Sequence, residues 1–402
     1  MAPHALELFA GIGGESLALK ASGIKTVAYC EIDPFCQAVL RSNIAQKRLD
    51  PGRILPDVTK VTAKDIPGGA VDMIAGGFPC KGLSSIGARK GMYGDSRSAL
   101  VKHVYRLIDE LRPAHVFLEN TPLIARDKNY GKLINELRQR GYSIAFMVMS
   151  ASQVGARHKR MRWFLLARQP DAAPLKITSA KVAALQQHFE QQVPLRLVPR
   201  NNSRGAHSCF VFGNAVCPAQ AAEALRVLNE VLTQGPAELS QTSLRRASLL
   251  KPVLVGPAGQ ALQDTTYAVP DASCKGQGFN VEPPKPPAEG VRTKQKLASM
   301  PGGREGRFFS QCMPTPRTGG NCSTCGQTFT QRSQRDGGNF LLSAREMHGT
   351  RVPALAQRRK LQVSPEFLAC HMGFPRTWIN GALAEHTAPR PRSPREPWKA
   401  AA

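Results

Sequence analysis

Acidic residues are few in this chain, which holds 29 Asp and Glu against 54 Lys and Arg among 402 residues, for a formal net charge of +25. An excess this one-sided is uncommon for enzymes of small metabolites and favours a polyanionic partner. The composition therefore predicts binding to nucleic acid. A merely solubilising surface charge is the alternative, and it carries less weight.

Long apolar runs are absent and no basic amphipathic helix stands out, so the sequence predicts no membrane association. The N-terminus shows no charged leader with a cleavage site, which predicts an intracellular protein. It would lie in the cytoplasm or nucleoid if bacterial or phage, and in the nucleus if eukaryotic. Inside a cell the ten cysteines should stay reduced, or in part bind metal, rather than form a disulfide framework.

The start of the chain follows the order strand, glycine turn, helix. Residues 5–9 are a short apolar strand, residues 10–14 carry three glycines, and residues 16–22 suit a helix that ends at Gly23. A glycine turn lets a ligand approach the backbone and aims the helix N-terminus at it. Because any tight strand-to-helix connection can use such a turn, the signal is weak on its own.

Acidic residues follow the next strands. The second strand, residues 27–30, runs into Glu31, Ile32 and Asp33, where a nucleoside-binding α/β fold holds its ribose hydroxyls. We choose Glu31 over Asp33 because it comes first after the apolar run. Asp57 offers a third acidic strand end, and a role as a helix cap or turn residue is equally compatible with it.

A cysteine behind a proline follows a further apolar run. That run, residues 71–75, has the pattern of a buried strand, and Pro79 and Cys80 come soon after it between flanking glycines. Ligands and chemistry gather at strand ends in open α/β sheets, so Cys80 is a candidate nucleophile. Taken alone, an inert buried cysteine would be the better interpretation. The rest of the chain reverses that preference.

The remaining pattern alternates strands with helices. A strand at 115–118 ends in Glu119 and Asn120, and a carboxylate at that edge would face the same crevice as Cys80. The alternation continues with two strands and two helices, at 144–149, 162–167, 100–111 and 131–140. The sequence therefore predicts an α/β fold with a mainly parallel sheet.

Basic side chains gather in two places. The cluster at one strand entrance, which in isolation suits a solvated charge cluster, consists of Arg157, His158, Lys159, Arg160 and Arg162. The glycine-bounded segment 82–94 carries Ser84, Arg89 and Lys90 and has the pattern of a mobile loop.

In this order the pieces resemble the DNA cytosine-5 methyltransferase family, and the likeness covers residues 5 to about 230. It rests on the loop at 9–14, Pro79-Cys80, Glu119-Asn120, Arg160-Met161-Arg162 and Gly213-Asn214-Ala215-Val216. Each motif alone is weak, whereas the combination is specific. The resemblance implies a Rossmann-like S-adenosylmethionine-dependent methyltransferase fold with a smaller C-terminal DNA-recognition region.

The resemblance also implies roles for individual residues. The catalytic set would be Pro79, Cys80, Glu119, Asn120, Arg160 and Arg162. The site for the cofactor S-adenosyl-L-methionine would comprise Phe9, Ala10, Gly11, Ile12, Gly13, Gly14, Glu31, Ile32, Asp57, Val58, Gly77, Asn214, Ala215 and Val216. DNA contacts would come from Ser84, Arg89, Lys90, Arg157, Lys159 and Arg317. No metal or redox cofactor is implied.

The chemistry explains why these residue types are needed. Carbon 5 of cytosine is a poor nucleophile until a thiolate, here Cys80, adds to carbon 6. Glu119 would protonate or hydrogen-bond ring nitrogen N3, with Asn120 as its orienting neighbour. Carbon 5 then takes the methyl group, and proton loss followed by elimination releases Cys80. The base must be flipped out of the duplex while basic residues, Arg160 and Arg162 among them, hold the backbone.

The late motifs depart from the family order. Lys81, Thr121, His158 and Ala215 are mild departures. The larger one is that only residues 168–212 separate the paired arginines from the Gly-Asn motif, which is short for a recognition domain. The missing recognition element is therefore expected near the C-terminus.

Four regions follow from this rearranged order. Residues 1–232 would be the catalytic domain, 233–300 a flexible Pro- and Gly-rich linker, 301–380 the target-recognition region and 381–402 a disordered basic tail. In the alternative, residues 240 onward are a poorly folded appendage. Cys322 and Cys325 have the spacing of half a zinc site, but no clear second pair follows, so no zinc is expected.

The sequence thus predicts a monomeric DNA cytosine-5 methyltransferase that acts on duplex DNA. A catalytically silent DNA-binding relative is one rival, and an RNA cytosine-5 methyltransferase is another. A nucleotide-dependent oxidoreductase would bind a dinucleotide, but it leaves Pro79-Cys80 unexplained. The pattern does not distinguish restriction–modification, viral modification and regulation.

Overall fold

The structure is a computed structural model. It describes residues 2–79, 100–127, 129–191, 193, 197–199, 208, 211–234, 253–257 and 361–385. Several sequence predictions lie outside these residues, namely those on Cys80, Lys81, Ser84, Arg89, Lys90, Arg317, Cys322 and Cys325.

The described residues form one large sheet and one small one. The strands are β1 (His4–Leu8), β2 (Lys25–Cys30), β3 (Arg53–Leu55), β4 (Met73–Gly76), β5 (His115–Asn120), β6 (Ser143–Ser150), β7 (Met161–Arg168), β8 (Leu197–Pro199), β9 (Val253–Val255) and β10 (Leu361–Val363). The large sheet has the order β3-β2-β1-β4-β5-β7-β6-β9, and β8 pairs with β10. The order reverses between β1 and β4, and such a switch point opens a crevice at the carboxyl ends of the strands.

Most of the large sheet is parallel. Strands β1 to β5 pair in parallel, whereas β7 runs antiparallel to both β5 and β6, and β9 runs antiparallel to β6. The short connection from β6 to β7 favours this antiparallel pairing, because a parallel return needs a longer crossover. The predicted α/β fold with a mainly parallel sheet is confirmed, and the antiparallel direction of β7 is an addition.

Helices cover both faces of the sheet. They are α1 (Gly14–Ala21), α2 (Pro34–Ala45), α3 (Val101–Leu111), α4 (Tyr130–Gln139), α5 (Ser179–Ala184), α6 (Gln187–Glu190), α7 (Pro218–Gln234), α8 (Pro365–His371) and α9 (Asn380–Glu385). Alternate strand residues point to opposite faces: Leu6 and Leu8 pack with α3 and α4, and Ala5 packs with α1 and α7. None of these helices is both long and apolar enough to cross a membrane.

Helix α2 shows how the local sequence sets an element that supports the crevice. Asp33 is its N-cap, and its carboxylate accepts hydrogen bonds from the backbone N–H groups of Phe35 (2.9 Å) and Cys36 (3.0 Å). Pro34 occupies the first helical turn, where its missing N–H does no harm. Asp33 thus begins a helix, and Glu31 is the residue that faces the glycine loop.

Residues 363–382 pack on the large sheet's helix α2 and the glycine loop. Phe374 and Trp378 lie in one buried cluster with Phe35 and Val39 of α2. Residues 361–380 were expected in a separate recognition region, but this segment belongs with the core. Residues 381–385 form part of α9, although a disordered tail was expected there.

Strand β9 requires a second correction. It lies inside the segment expected to be a flexible linker, yet it pairs with β6 through Ile144, Ala145 and Phe146. Its Val-Leu-Val sequence is too short to stand out against the Pro- and Gly-rich composition around it. The other domain boundaries stay predictions.

Candidate active site

The glycine loop leaves the carboxyl end of β1 with an unusual backbone. Phe9, Gly11 and Gly13 have φ values of 57°, 54° and 81°, in the left-handed region. A Cβ added at Gly11 would have nothing nearer than 4.0 Å, so the loop is open at that point. A non-glycine residue such as Phe9 costs free energy in this conformation, and strain of this kind concentrates at functional sites.

Glu31 holds the loop in place. Its Oε2 accepts from the N–H of Gly11 at 2.7 Å, and its Oε1 accepts from the N–H of Asp33 at 2.7 Å. Burial raises the pKa of the Glu31 carboxyl, while these backbone hydrogen bonds act in the opposite direction. Next to it Ile32 is 74% exposed and offers an apolar surface at the mouth of the crevice.

Asp57 makes the hydrogen bonds of a turn residue. Asp57 Oδ1 accepts from the N–H of Thr59 at 3.0 Å and from its hydroxyl at 2.8 Å, and these bonds lower the pKa of Asp57. Val58 is buried beside it, and its carbonyl accepts a hydrogen bond from Arg106 at 3.0 Å. A contact of Asp57 with the cofactor stays a prediction.

Glu119 lies at the same edge of the sheet, two strands from the glycine loop. Its Oε1 forms an ion pair with Arg162 Nε at 2.8 Å, and only 13% of its side chain is exposed. A Cβ added at Gly77 would lie 2.7 Å from Glu119 Oε2, so this position leaves room for the carboxyl. Burial raises the pKa of Glu119, and Arg162 and Arg160 partly offset that rise.

Asn120 does not orient Glu119 in the way the sequence suggested. Its Nδ2 donates to the carbonyl of Phe78 at 3.1 Å, and its Oδ1 accepts from the N–H of Thr121 at 2.8 Å. Asn120 therefore fixes the backbone just before Pro79. The side chain that binds the Glu119 carboxyl is Arg162, because antiparallel pairing brings the start of β7 beside the end of β5.

Arg160 corrects a second expectation. Its side chain is buried, and its Nη2 donates to the carbonyls of Gly213 (2.9 Å) and Ala215. A guanidinium in this position cannot hold a DNA phosphate. Instead it joins the strand entrance to the Gly-Asn motif, which lies more than fifty residues further along the chain.

The flanking basic residues alternate in exposure. Arg157 and Lys159 are exposed, whereas His158 is buried and its Nε2 hydrogen-bonds to the carbonyl of His371 at 2.8 Å. Two of the predicted DNA contacts thus face solvent next to the crevice. The buried histidine instead binds the C-terminal segment.

The late motif lies against the glycine loop. A Cβ added at Gly14 would lie 2.6 Å from the carbonyl of Val216 and 3.0 Å from Phe374. Ala215 and Val216 are buried, and Asn214 is exposed. The structure therefore brings the loop, Glu31, Glu119, the paired arginines and the Gly-Asn motif together around one crevice.

Sequence reasoning missed two acidic residues of this crevice. Glu7 lies in β1 and Glu15 in the first turn of α1, and both are buried. A signal was present in each case, because Glu7 interrupts an apolar strand and Glu15 directly follows the glycine turn. No ion pair of either carboxylate occurs within the described part of the chain, and buried carboxylates of this kind suit a cationic ligand.

The residues present fit S-adenosylmethionine, a nucleoside that carries a sulfonium cation. Gly11 is open to a ligand, Glu31 can accept from ribose hydroxyls, and Ile32 offers an apolar face. The sheet with its switch point, the glycine loop and the acidic strand end are common to nucleoside-binding α/β folds, and the antiparallel β7 between β5 and β6 fits the S-adenosylmethionine-dependent methyltransferase fold among them.

Comparison with known proteins identifies the family. Residues 4–202 match the family described as C-5 cytosine-specific DNA methylase, and this part of the chain belongs to that family. Its members use S-adenosylmethionine as methyl donor. The resemblance inferred from the motifs is thereby confirmed.

Individual relatives overlap the chain in part. The type II methyltransferase M.CviJI of Paramecium bursaria Chlorella virus IL3A is 34% identical over 221 residues, which is 55% of this chain and 58% of that protein. M2.BsuMI of Bacillus subtilis strain 168 is 37% identical over 171 residues, 40% of this chain and 41% of that protein. The chain thus spans about half the length of the curated relatives it matches.

Among solved structures, the Dnmt2 methyltransferase of S. pombe has a TM-score of 0.36 and 21% sequence identity, over 52% of this chain and 60% of that chain. A similarity of this size supports no statement about the site.

Proposed function

We propose that the protein transfers a methyl group from S-adenosylmethionine to carbon 5 of a flipped cytosine in duplex DNA, through a covalent adduct with Cys80. The observation that carries the proposal is the Glu119 carboxyl, which is only 13% exposed, forms an ion pair with Arg162 at 2.8 Å and lies against Gly77, two residues before Pro79. The match of residues 4–202 to the C-5 cytosine-specific DNA methylase family supports the same reaction.

Nucleophilic attack needs Cys80 in a defined position. Cys80 directly follows Pro79 in the sequence, and Asn120 holds the carbonyl of Phe78 at 3.1 Å. This hydrogen bond fixes the chain just ahead of the thiol. Addition of the thiolate to carbon 6 then makes carbon 5 electron-rich.

Glu119 supplies the acid. In its protonated form the carboxyl donates a hydrogen bond to N3 of the cytosine and stabilises the charge that builds on the ring during thiolate addition. Arg162 restrains Oε1 at 2.8 Å, and the contact with the base would use Oε2, which lies beside Gly77. Burial keeps the proton on the carboxyl at a higher pH than in water.

The bound cofactor supplies the methyl group. Glu31 would accept hydrogen bonds from the ribose hydroxyls, and Ile32 would cover the adenine. The open backbone at Gly11 would let the nucleoside approach the glycine loop closely. Asp57 and the Asn214–Val216 segment stay proposed contacts.

DNA binding would use exposed cations. Arg157 and Lys159 face solvent beside the crevice, and the chain carries a net charge of +25. Cations placed there hold the phosphates while the base is flipped. The relatives named as type II methyltransferases support a role in restriction–modification.

The test compares substrates and one variant. Full-length protein is incubated with methyl-labelled S-adenosylmethionine and either duplex DNA of mixed sequence or RNA. We expect labelled 5-methylcytosine in the DNA only. Cys80→Ser should abolish transfer while it still binds S-adenosylmethionine. Full transfer by that variant would overturn the assignment of the nucleophile, and label in RNA alone would favour the RNA methyltransferase.

A further inference from the structure

Two buried carboxylates in the crevice have oxygens that nothing in the described residues satisfies. Glu7 is 1% and Glu15 5% exposed. Glu7 Oε1 accepts from the N–H of Ser16 at 3.2 Å, whereas Glu7 Oε2 and Glu15 Oε1 have no hydrogen-bond partner among the residues the structure covers. A buried carboxyl without a partner is costly, so it indicates a group that arrives from outside.

The surroundings of Glu15 are acidic. Burial first, and then the charges of Glu7 and Glu119, raise the pKa of the Glu15 carboxyl. Arg162 is already paired with Glu119, and no Lys, Arg or His in the described part of the chain forms an ion pair with Glu7 or Glu15. A cation that enters this pocket would favour the ionised form of these carboxyls and then attract them.

Glu15 lies between the two halves of the site. It directly follows Gly14 at the start of α1, so it adjoins the loop proposed to hold the nucleoside. It also lies close enough to Glu119, the proposed acid for the base, to feel its charge. The methyl-bearing end of the cofactor must reach the base across the space between the glycine loop and Glu119.

We propose that Glu15 is the counter-ion of the sulfonium end of the cofactor and makes the site discriminate between S-adenosylmethionine and S-adenosylhomocysteine. The inference rests on the proposed function. Methyl transfer turns the sulfonium cation into a neutral thioether, so the attraction of the Glu15 carboxylate is lost with the methyl group. Glu15 is therefore a specificity-determining residue that favours binding of the donor and release of the product.

Binding measurements test the inference without reference to turnover. The full-length protein is titrated by calorimetry with each of the two compounds, and the ratio of the two Kd values is compared with that of Glu15→Gln. We expect the variant to bind S-adenosylmethionine about tenfold more weakly, as loss of one charge-assisted contact implies. Its Kd for S-adenosylhomocysteine should not change.

A second measurement detects the proton that Glu15 releases when S-adenosylmethionine binds. A cation beside Glu15 favours its ionised form, so S-adenosylmethionine binding should release protons, which is measured as a dependence of the binding enthalpy on the buffer. Glu15→Gln should remove most of this release. Glu31→Gln is the matched control. Both compounds carry the ribose, so this substitution should weaken the binding of both by the same factor.

The outcomes separate the inference from the function it rests on. If the wild-type protein binds neither compound, the proposed function fails. If it binds both and Glu15→Gln leaves the ratio unchanged, or weakens both equally, Glu15 has only a structural role and the inference is overturned. Unchanged binding of S-adenosylhomocysteine by the variant also shows that its fold is intact.

Discussion

At the scale of the residue, the chemistry of the crevice depends on whether each of its glutamate side chains is ionised, and the neighbours of each carboxyl decide this. Glu31 receives two backbone hydrogen bonds and Glu119 has a guanidinium. Glu7 receives one backbone hydrogen bond, from Ser16, and both Glu7 and Glu15 are buried next to other acidic residues. Hydrogen bonds and cations favour the ionised form, while burial favours the neutral one. The same residue type can therefore bind a ribose, donate a proton or attract a cation within one site.

The pH dependence of methyl transfer tests the Glu119 environment. We expect kcat/KM to fall as the pH rises through the raised pKa of Glu119, because only its protonated form donates. Arg162→Gln removes a charge that lowers this pKa, so its alkaline decline should move to higher pH. Glu119→Gln should reduce kcat by about 10²- to 10⁴-fold, as is typical for loss of a general acid. An unshifted decline in Arg162→Gln would contradict this account.

The pH dependence of stability tests the buried acids. Folding raises the pKa values of Glu7 and Glu15, so their contribution to the stability of the cofactor-free protein is most favourable below the pKa of an unfolded Glu. This contribution is lost as the pH rises through the folded-state pKa values. Glu15→Gln should raise the thermal midpoint at pH 8 and have little effect near pH 4. A stabilisation equal at both pH values would contradict the assignment.

Sequence reasoning located most of the acidic groups but not their partners. A Glu that ends an apolar strand is visible in the pattern, which is why Glu31 and Glu119 could be predicted. The ion pair with Arg162 depends on antiparallel pairing of β5 and β7, and the burial of Arg160 depends on carbonyls distant in sequence. Neither relation is encoded in local spacing.

At the scale of the element, the segment between α8 and α9 supports the glycine loop. Trp378 Nε1 donates to the carbonyl of Ile12 at 2.7 Å, and Asn43 Nδ2 of α2 donates to the carbonyl of Trp378 at 2.9 Å. Phe374 packs beside Gly14. The segment that follows β10 therefore completes the wall behind the glycine loop.

Substitution of Trp378 measures this support. Trp378→Ala removes a fully buried side chain and should destabilise the fold by about 3–5 kcal/mol. It should also weaken S-adenosylmethionine binding, since the Ile12 carbonyl loses its donor. Trp378→Phe keeps much of the packing without the N–H group, so it separates the two effects. Thermal unfolding and calorimetric titration provide the readouts. If Trp378→Ala kept the wild-type thermal midpoint and the wild-type affinity for S-adenosylmethionine, this segment would not support the glycine loop.

The elements divide into those that local pattern predicts and those that it does not. Strands β1, β2, β4, β5, β6 and β7 and helices α1, α3 and α4 follow from apolar periodicity and agree with the structure. Strand β9 and helices α8 and α9 join the core through contacts with β6 and α2, far away in sequence. Composition around β9 pointed to a linker, and only tertiary pairing reveals the strand.

At the scale of the whole molecule, the described chain leaves the core around the large sheet after β9 and returns to it after β10. Strand β9 ends at Val255 on the large sheet, and β10 begins at Leu361 next to the helices that support the loop. Residues 258–360 lie between these points, outside the described residues. We propose that this segment contains the element that reads the DNA sequence, in line with the recognition region expected from the motif order.

Two deletions in the full chain separate recognition from support. Replacement of residues 258–360 by a Gly-Ser linker should preserve S-adenosylmethionine binding and abolish selection of a DNA sequence. Deletion of residues 361–402 should instead weaken binding of the cofactor, because Phe374 and Trp378 are lost. Bisulfite sequencing of methylated DNA and calorimetry give the two readouts. If the first deletion methylated the same sequence as the wild type, recognition would have to lie elsewhere, with 168–212 as the next candidate.

The covalent step is the centre of the account, and trapping it is the most direct test. Full-length protein is incubated with S-adenosylmethionine and duplex DNA that contains 5-fluorocytosine, whose fluorine blocks the loss of the carbon 5 proton. We predict a protein–DNA adduct that survives denaturing electrophoresis and maps to the peptide with Cys80. No adduct across varied sequences, with S-adenosylmethionine binding intact, would contradict the proposed reaction.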